Sequence, residues 1–322
     1  MEFKHAFHVF VDNFSTTYKL LLYRLIVLAI TIGLSCAVLI PSVHCIADTA
    51  QYSTMRNSFS TLWSDIIALN FDNIRNSADA ARSALSSFKG MLSDKSWLVA
   101  TVVICMCVVI LVDRFLVGVG NYVMGALVHD KMVMHTNSPF TFTLFKNIRQ
   151  AALYSVIYAP ITFVYDAICL VIMWAIVSVG LKVLPIALVK IFLVGIIFLL
   201  FSAVKFTFTT DWLPALIHAK MKHGKAVAFT FSRKGKRTAA VFSTSLVLKL
   251  TIFALNVAAG LFTFGAGLLL TLPASTLILS SFSFVNYFDA NELKYFVDAY
   301  TVIGPKRETP VSREEFFKGD TD

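Results

Sequence analysis

The sequence predicts an all-α fold: a polytopic transmembrane helix bundle of about six spans, both termini cytoplasmic, with an extracytoplasmic amphipathic helical loop. Three observations predict it. Hydrophobic residues make up 57% of the chain and the mean hydropathy is +0.74. Only 15% of residues are charged, against about 25% in soluble proteins. The apolar runs are long and lack the alternation of barrel strands, so helices must satisfy the backbone in a bilayer. Finally, Asp211–Thr238 lies between apolar runs and carries seven of the 28 Lys and Arg residues, with no acid between Trp212 and Arg237. Such a block reads as a cytoplasmic loop held on an anionic leaflet.

Residues 1–19 form an interfacial amphipathic segment, because Phe3, Phe7, Phe10 and Phe14 recur at helical spacing with Lys4, His5, His8 and Asp12 between them. Span one covers residues 20–46 and is read as retained, with Lys4, Lys19 and Arg24 marking its cytoplasmic side. Residues 47–96 are the extracytoplasmic loop. Within it Trp63, Ile67, Phe71, Ile74, Ala78, Ala81, Leu85, Phe88 and Leu92 step by threes and fours, as in a coiled-coil seam. Trp63, Ile67, Phe71, Ile74, Leu85 and Phe88 are therefore a candidate seam for self-packing, a homo-oligomer or an envelope partner. Periodicity leaves open whether one rod or a hairpin carries it.

Span two, residues 97–128, contains Asp113 and Arg114. Neighbours on a helix point about 100° apart, so the two charges are not expected to neutralise each other, and each must face protein or water. Gly118, Gly120 and Gly125 give the same helix a smooth face for close packing. Residues 129–150 read as a cytoplasmic interfacial segment with Phe140, Phe142 and Phe145 on its apolar side. Span three, residues 151–180, holds Pro160 and Asp166, and span four, residues 183–206, holds Lys190 and Lys205. Both lysines are expected to snorkel, with an Asp166–Lys190 pair as the alternative.

In the basic cytoplasmic loop, 211–238, Asp211 is expected to cap a helix that Gly224 closes. Its cations Lys220, Lys222, Lys225, Arg233, Lys234, Lys236 and Arg237 are the candidate anionic-lipid contacts. Residues 239–288 supply spans five and six. Lys249 lies about ten residues from the cytoplasmic end of span five, too deep to snorkel easily, so it is a candidate buried charge with Asp113 or Asp166 as its partner. Residues 289–322 are a polar cytoplasmic tail. In this topology eighteen Lys and Arg residues lie inside and six outside.

The stretch from Gly120 to Tyr300 also carries a resemblance. A Phe140-Thr-Phe-Thr-Leu-Phe145 segment is followed by two spans. Trp212-Leu-Pro-Ala-Leu then precedes a basic Phe-Ser-Arg-Lys-Gly loop, two more spans follow, and Tyr287 comes ahead of Lys294-Tyr295-Phe296. This resembles a diffuse group of bacterial six-span proteins that includes the membrane domain found beside glycerophosphodiester phosphodiesterases. The resemblance covers about half of the chain. It implies the architecture and a bacterial cytoplasmic-membrane setting, and it implies no active site.

The net charge of +9 fits positive-inside loops and does not require a nucleic-acid partner. The five cysteines lie in or beside apolar spans without zinc spacing, and no cofactor is expected. There is no H-E-x-x-H, P-loop or G-x-S-x-G motif, so the sequence favours a non-enzymatic accessory or interaction protein of the cell envelope. The alternative is a small-molecule or ion transporter or channel using Asp113, Arg114, Asp166 and Lys249.

Overall fold

A computed structural model describes residues 2–68, 70–179, 187–231, 235–298, 300–304 and 311–312. The elements in order are α1 (Glu2–Asp12), α2 (Ser15–Ala47), α3 (Ala50–Ile67), α4 (Phe71–Asp94), α5 (Ser96–Met134) and α6 (Phe140–Val179). They continue with α7 (Ala187–Thr209), α8 (Trp212–Ile217), α9 (His223–Phe231), α10 (Gly235–Phe262) and α11 (Leu268–Ala290). Three short strands close the described chain: β1 (Tyr295–Phe296), β2 (Thr301–Ile303) and β3 (Val311–Ser312), all antiparallel in the order β1-β2-β3. Six helical segments are long and apolar enough to cross a membrane, and the protein is an integral, multi-pass membrane protein. At ~1.5 Å per residue, the 39 residues of α5 reach about 58 Å, roughly twice the ~30 Å hydrocarbon core.

The chain divides into two compact units, residues 1–27 with 114–322, and residues 28–113. The first is organised on α11. Half of the apolar window of α11 is buried, against 6–22% for the other five segments, which makes it the central helix. Phe282, Phe284, Val285 and Phe288 of α11 pack with Val123, Met124 and Val128 of α5 and with Trp212 and Ala215 of α8. Small residues let the helices close up. A Cβ on Gly120 would lie 2.6 Å from the Tyr23 ring, and one on Gly125 would lie 2.5 Å from a Leu213 methyl.

The amphipathic α1 lies on this unit with Ala6 and Val9 buried and Phe3 and Phe7 exposed. Lys131 ties it down, 2.9 Å from the Asp12 carboxylate. The segment 140–150, read from the sequence as separate, runs straight into the third span as one 40-residue helix. Nothing in Gln150-Ala151-Ala152 breaks a helix, so the change from interface to membrane is one of environment and not of backbone.

Two expectations for the basic loop are corrected. Asp211 makes no side-chain cap; its carboxylate is buried and accepts from Asn286 Nδ2 at 3.0 Å. Gly224 does not close the helix. α8 ends after six residues, Lys220 adopts the left-handed conformation (φ 49°), and Gly224 falls in the first turn of α9. Lysine takes the role that the sequence rule assigns to glycine. The tail differs as well: Tyr295 is wholly buried, donating to Asp289 Oδ1 at 2.7 Å and lying 3.1 Å from His5 Nδ1. An aromatic at the head of a polar segment is enough to anchor it in the core.

The second unit contains a helical hairpin, α3 against α4. Its buried face is not the large-residue stripe. On α4 it runs through Ile74, Ala81, Ala84, Phe88 and Met91, and on α3 through Tyr52, Met55 and Leu62, with the Tyr52 and Phe88 rings 6.3 Å apart. Ser77 donates to Asp65 across the pair. Trp63, Ile67 and Leu85 point outward, the first two at 63% and 67% exposure. Ile74 and Phe88 lie in the packed seam, and the Phe71 side chain lies outside the described residues. The reason is geometric. α4 packs back along α3, so one continuous stripe cannot stay on one side, and alanines allow the closer helix approach.

Candidate functional site

The first unit encloses a polar cavity of about 240 Å³. It is lined by Arg24 of α2, Asn121 of α5, Tyr154 and Tyr158 of α6, and Lys205 and Thr209 of α7. Lys249 of α10 completes it with Thr276, Ser280 and Ser283 of α11. Two of these hydroxyls are held by their own helix, Thr276 donating to the Leu272 carbonyl and Ser283 to the Leu279 carbonyl.

An ion network borders the cavity. The Asp166 carboxylate takes Arg114 at 2.7 Å on Oδ2 and Lys205 at 3.0 and 2.8 Å on its two oxygens. Arg114 also lies over the Phe163 ring, 5.7 Å from its centroid. Tyr165 donates to the Phe201 carbonyl at 2.8 Å, which sets the register of α6 against α7 and brings Lys205 about one turn from that contact. Lys205 is shared with a second cavity of about 360 Å³, lined further along by Arg114, Asp166, Cys169, Met173 and Phe198.

Lys249 is half-buried, with its ammonium 5.4 Å from the centroid of the Phe206 ring. No carboxylate pairs with it among the described residues. Arg24 donates to Asn121 Oδ1 at 3.0 Å. Three cations, Arg114, Lys205 and Lys249, therefore lie near one carboxylate, Asp166, which already holds two of them. In a low-dielectric site such an excess attracts a small anion strongly.

Of the residues singled out in the sequence, Arg114 and Asp166 line the second cavity and Lys249 lines the first, with Lys205 in both. Asp113 belongs to the other unit, where it accepts from Thr31 Oγ1 at 3.0 Å. The expected Lys249–carboxylate pair is replaced by the contact with Phe206. Lys205, expected to snorkel, turns into the bundle and takes the place proposed for Lys190, whose side chain lies outside the described residues. Arg24, in the sequence an orientation signal alone, joins the same cavity.

In the basic loop Lys220, Lys222 and Lys225 are exposed, while Arg237 is half-buried and donates to the Asn286 carbonyl at 3.1 Å. Arg233, Lys234 and the Lys236 side chain lie outside the described residues. A histidine pair that no spacing rule could find joins distant helices, with His129 Nε2 3.2 Å from His218 Nδ1. Burial and the neighbouring His129 push the His218 imidazole below its usual pKa. Among the described residues no cluster of His, Cys, Asp and Glu could hold a metal ion. No family model matches the chain, and no curated protein or solved structure matches it. The resemblance of residues 120–300 rests on those residues alone.

Proposed function

We propose that this is a non-catalytic membrane protein that binds and passes a small anion, with the cavity around Lys205 and Lys249 as its binding site. The basic end of the bundle faces the cytoplasm in this reading, and the membrane is a cell membrane. One observation carries it: Lys205 and Lys249 line a cavity together with Tyr158, Thr209 and Ser280, and the nearby Asp166 carboxylate is already shared by Lys205 and Arg114. Each charge inside a bilayer costs ~2.5–3.5 kcal/mol on insertion scales, so a surplus of one sign beside a hydroxyl-lined space favours a compensating ligand. A volume of about 240 Å³ suits a small carboxylate or an inorganic oxyanion. Lys205 also lines the second cavity, with Arg114 and Asp166.

The test is solid-supported-membrane electrophysiology on liposomes, with jumps of chloride, acetate and inorganic phosphate. At least one anion produces a current, and Lys249→Met lowers it more than tenfold while the variant keeps its helical content. No current with any of the three anions, or an unchanged current in Lys249→Met, overturns the reading.

The accessory-protein reading has its own observation. Phe59, Trp63, Ile66 and Ile67 form an exposed apolar stripe on α3. A photoreactive residue at Trp63 that gives a discrete heavier band in cells supports a protein partner there, and crosslinks confined to the chain remove this support.

A further inference from the structure

A larger cavity, about 670 Å³, lies at the basic end of the first unit between α5, α6 and the α8–α9 connection. Lys146, Lys220 and Lys222 reach it from two separate elements, and none of the three forms an ion pair among the described residues. The single lining carboxylate, Asp130, lies 3.4 Å from His129 Nδ1. His223 also lines the space, and its Nδ1 is buried with no hydrogen-bond partner. α9 begins at His223, and its first helical bond is Ala226 N–H to the Lys222 carbonyl, so the amides before it are free of helical acceptors.

The backbone is bent to make this arrangement. Lys220 holds φ 49°, uncommon for a residue with a side chain, and Met221 N–H bonds the Ala215 carbonyl at 3.2 Å to pin the turn. Strain of this kind persists where the surroundings over-determine it, which is frequent at ligand sites. Leu153, Leu216, Ile217 and Met221 give the same cavity an apolar wall.

We propose that this cavity binds a phosphomonoester whose organic part rests on the apolar wall. Three ammonium groups without a carboxylate of their own, an imidazole with an open nitrogen and a helix start offer more donors than a carboxylate ligand can use. A phosphomonoester carries ~1.5–2 negative charges and three strong acceptor oxygens. The ester is the headgroup of an anionic phospholipid or a soluble phosphate ester. This goes beyond diffuse attraction to a leaflet, because it needs defined groups, and it does not depend on the reading of the intramembrane cavity.

The full chain in phosphatidylcholine nanodiscs is titrated with inorganic phosphate, and in parallel reconstituted with phosphatidic acid in the same discs. Thermal unfolding and ³¹P line broadening are the readouts. Phosphatidic acid, with or without inorganic phosphate, raises the unfolding temperature of the wild type. A response to the lipid alone identifies a headgroup, and a response to both identifies the phosphate group itself. Lys146→Gln with Lys222→Gln weakens binding by about a hundredfold, roughly tenfold for each charge-assisted hydrogen bond removed. Arginine at the same two positions retains most of it. The proposal fails if neither probe binds or if the glutamine variant binds like wild type.

Discussion

The two units of this protein solve opposite problems with the same helix. In the hairpin of residues 50–94, Ala81, Ala84 and Met91 go inside, and Trp63 and Ile67 stay out. In the unit built on α11, large aromatics go inside, and Arg114, Asp166, Lys205 and Lys249 meet within the bundle. A helix pair in isolation maximises contact by bringing backbones close, which small residues permit. A multi-helix bundle has a wider interior, which rings and charged networks can fill, provided each charge finds a partner. Residue hydrophobicity alone therefore does not say which side chain is buried.

The largest effect expected to separate the units is Asp166→Leu. It leaves Arg114 and Lys205 facing each other without their carboxylate, and breaking a buried pair costs ~3–5 kcal/mol. These side chains are 25–30% exposed, so a loss of about 3 kcal/mol in reversible unfolding within bicelles is expected. A loss below about 1 kcal/mol would mean that the network contributes little to stability. Next is Ala84→Leu in the hairpin, which overpacks a 6%-exposed position and costs ~1–3 kcal/mol, whereas Trp63→Ser costs under ~0.5 kcal/mol. If the Trp63 change is the more costly, the outward stripe is covered by something and the contrast between the units narrows.

The smallest effect is on pH. Burial holds the His218 pKa below its usual value, so the unfolded chain takes up the proton first. Stability is complete above about pH 6.5 and declines as pH falls below it. His5 is shifted in the same direction by burial, so it adds to the same slope. His218→Phe, placed against Phe288 at 4.8 Å, should flatten the acid limb of the unfolding temperature without removing it. An unchanged slope would show that the His129–His218 contact carries no proton linkage.

Much of the fold was legible because a bilayer is a severe solvent. Long apolar runs must be helices, and six helical segments are long and apolar enough to cross a membrane. Arg114, Asp166 and Lys249 could be suspected individually for the same reason, since charge inside such a run is costly wherever it points. What escaped were relations between elements. Lys205 looks like a snorkelling residue until the Tyr165–Phe201 contact sets the register of α6 and α7. His129 and His218 are 89 positions apart, and no periodicity links them. Asp211 has the identity and position of a helix cap, yet Asn286 on another helix offers its carboxylate a partner.

The sequence by itself determined the solvent, the helices and the charged residues that needed an explanation, because hydropathy and backbone satisfaction act locally along the chain. Only the tertiary structure decided which of those charges share a cavity, which face of the hairpin is hidden and where the tail begins to pack. Those outcomes depend on helix rotation and register, which are set by contacts between residues far apart in the chain.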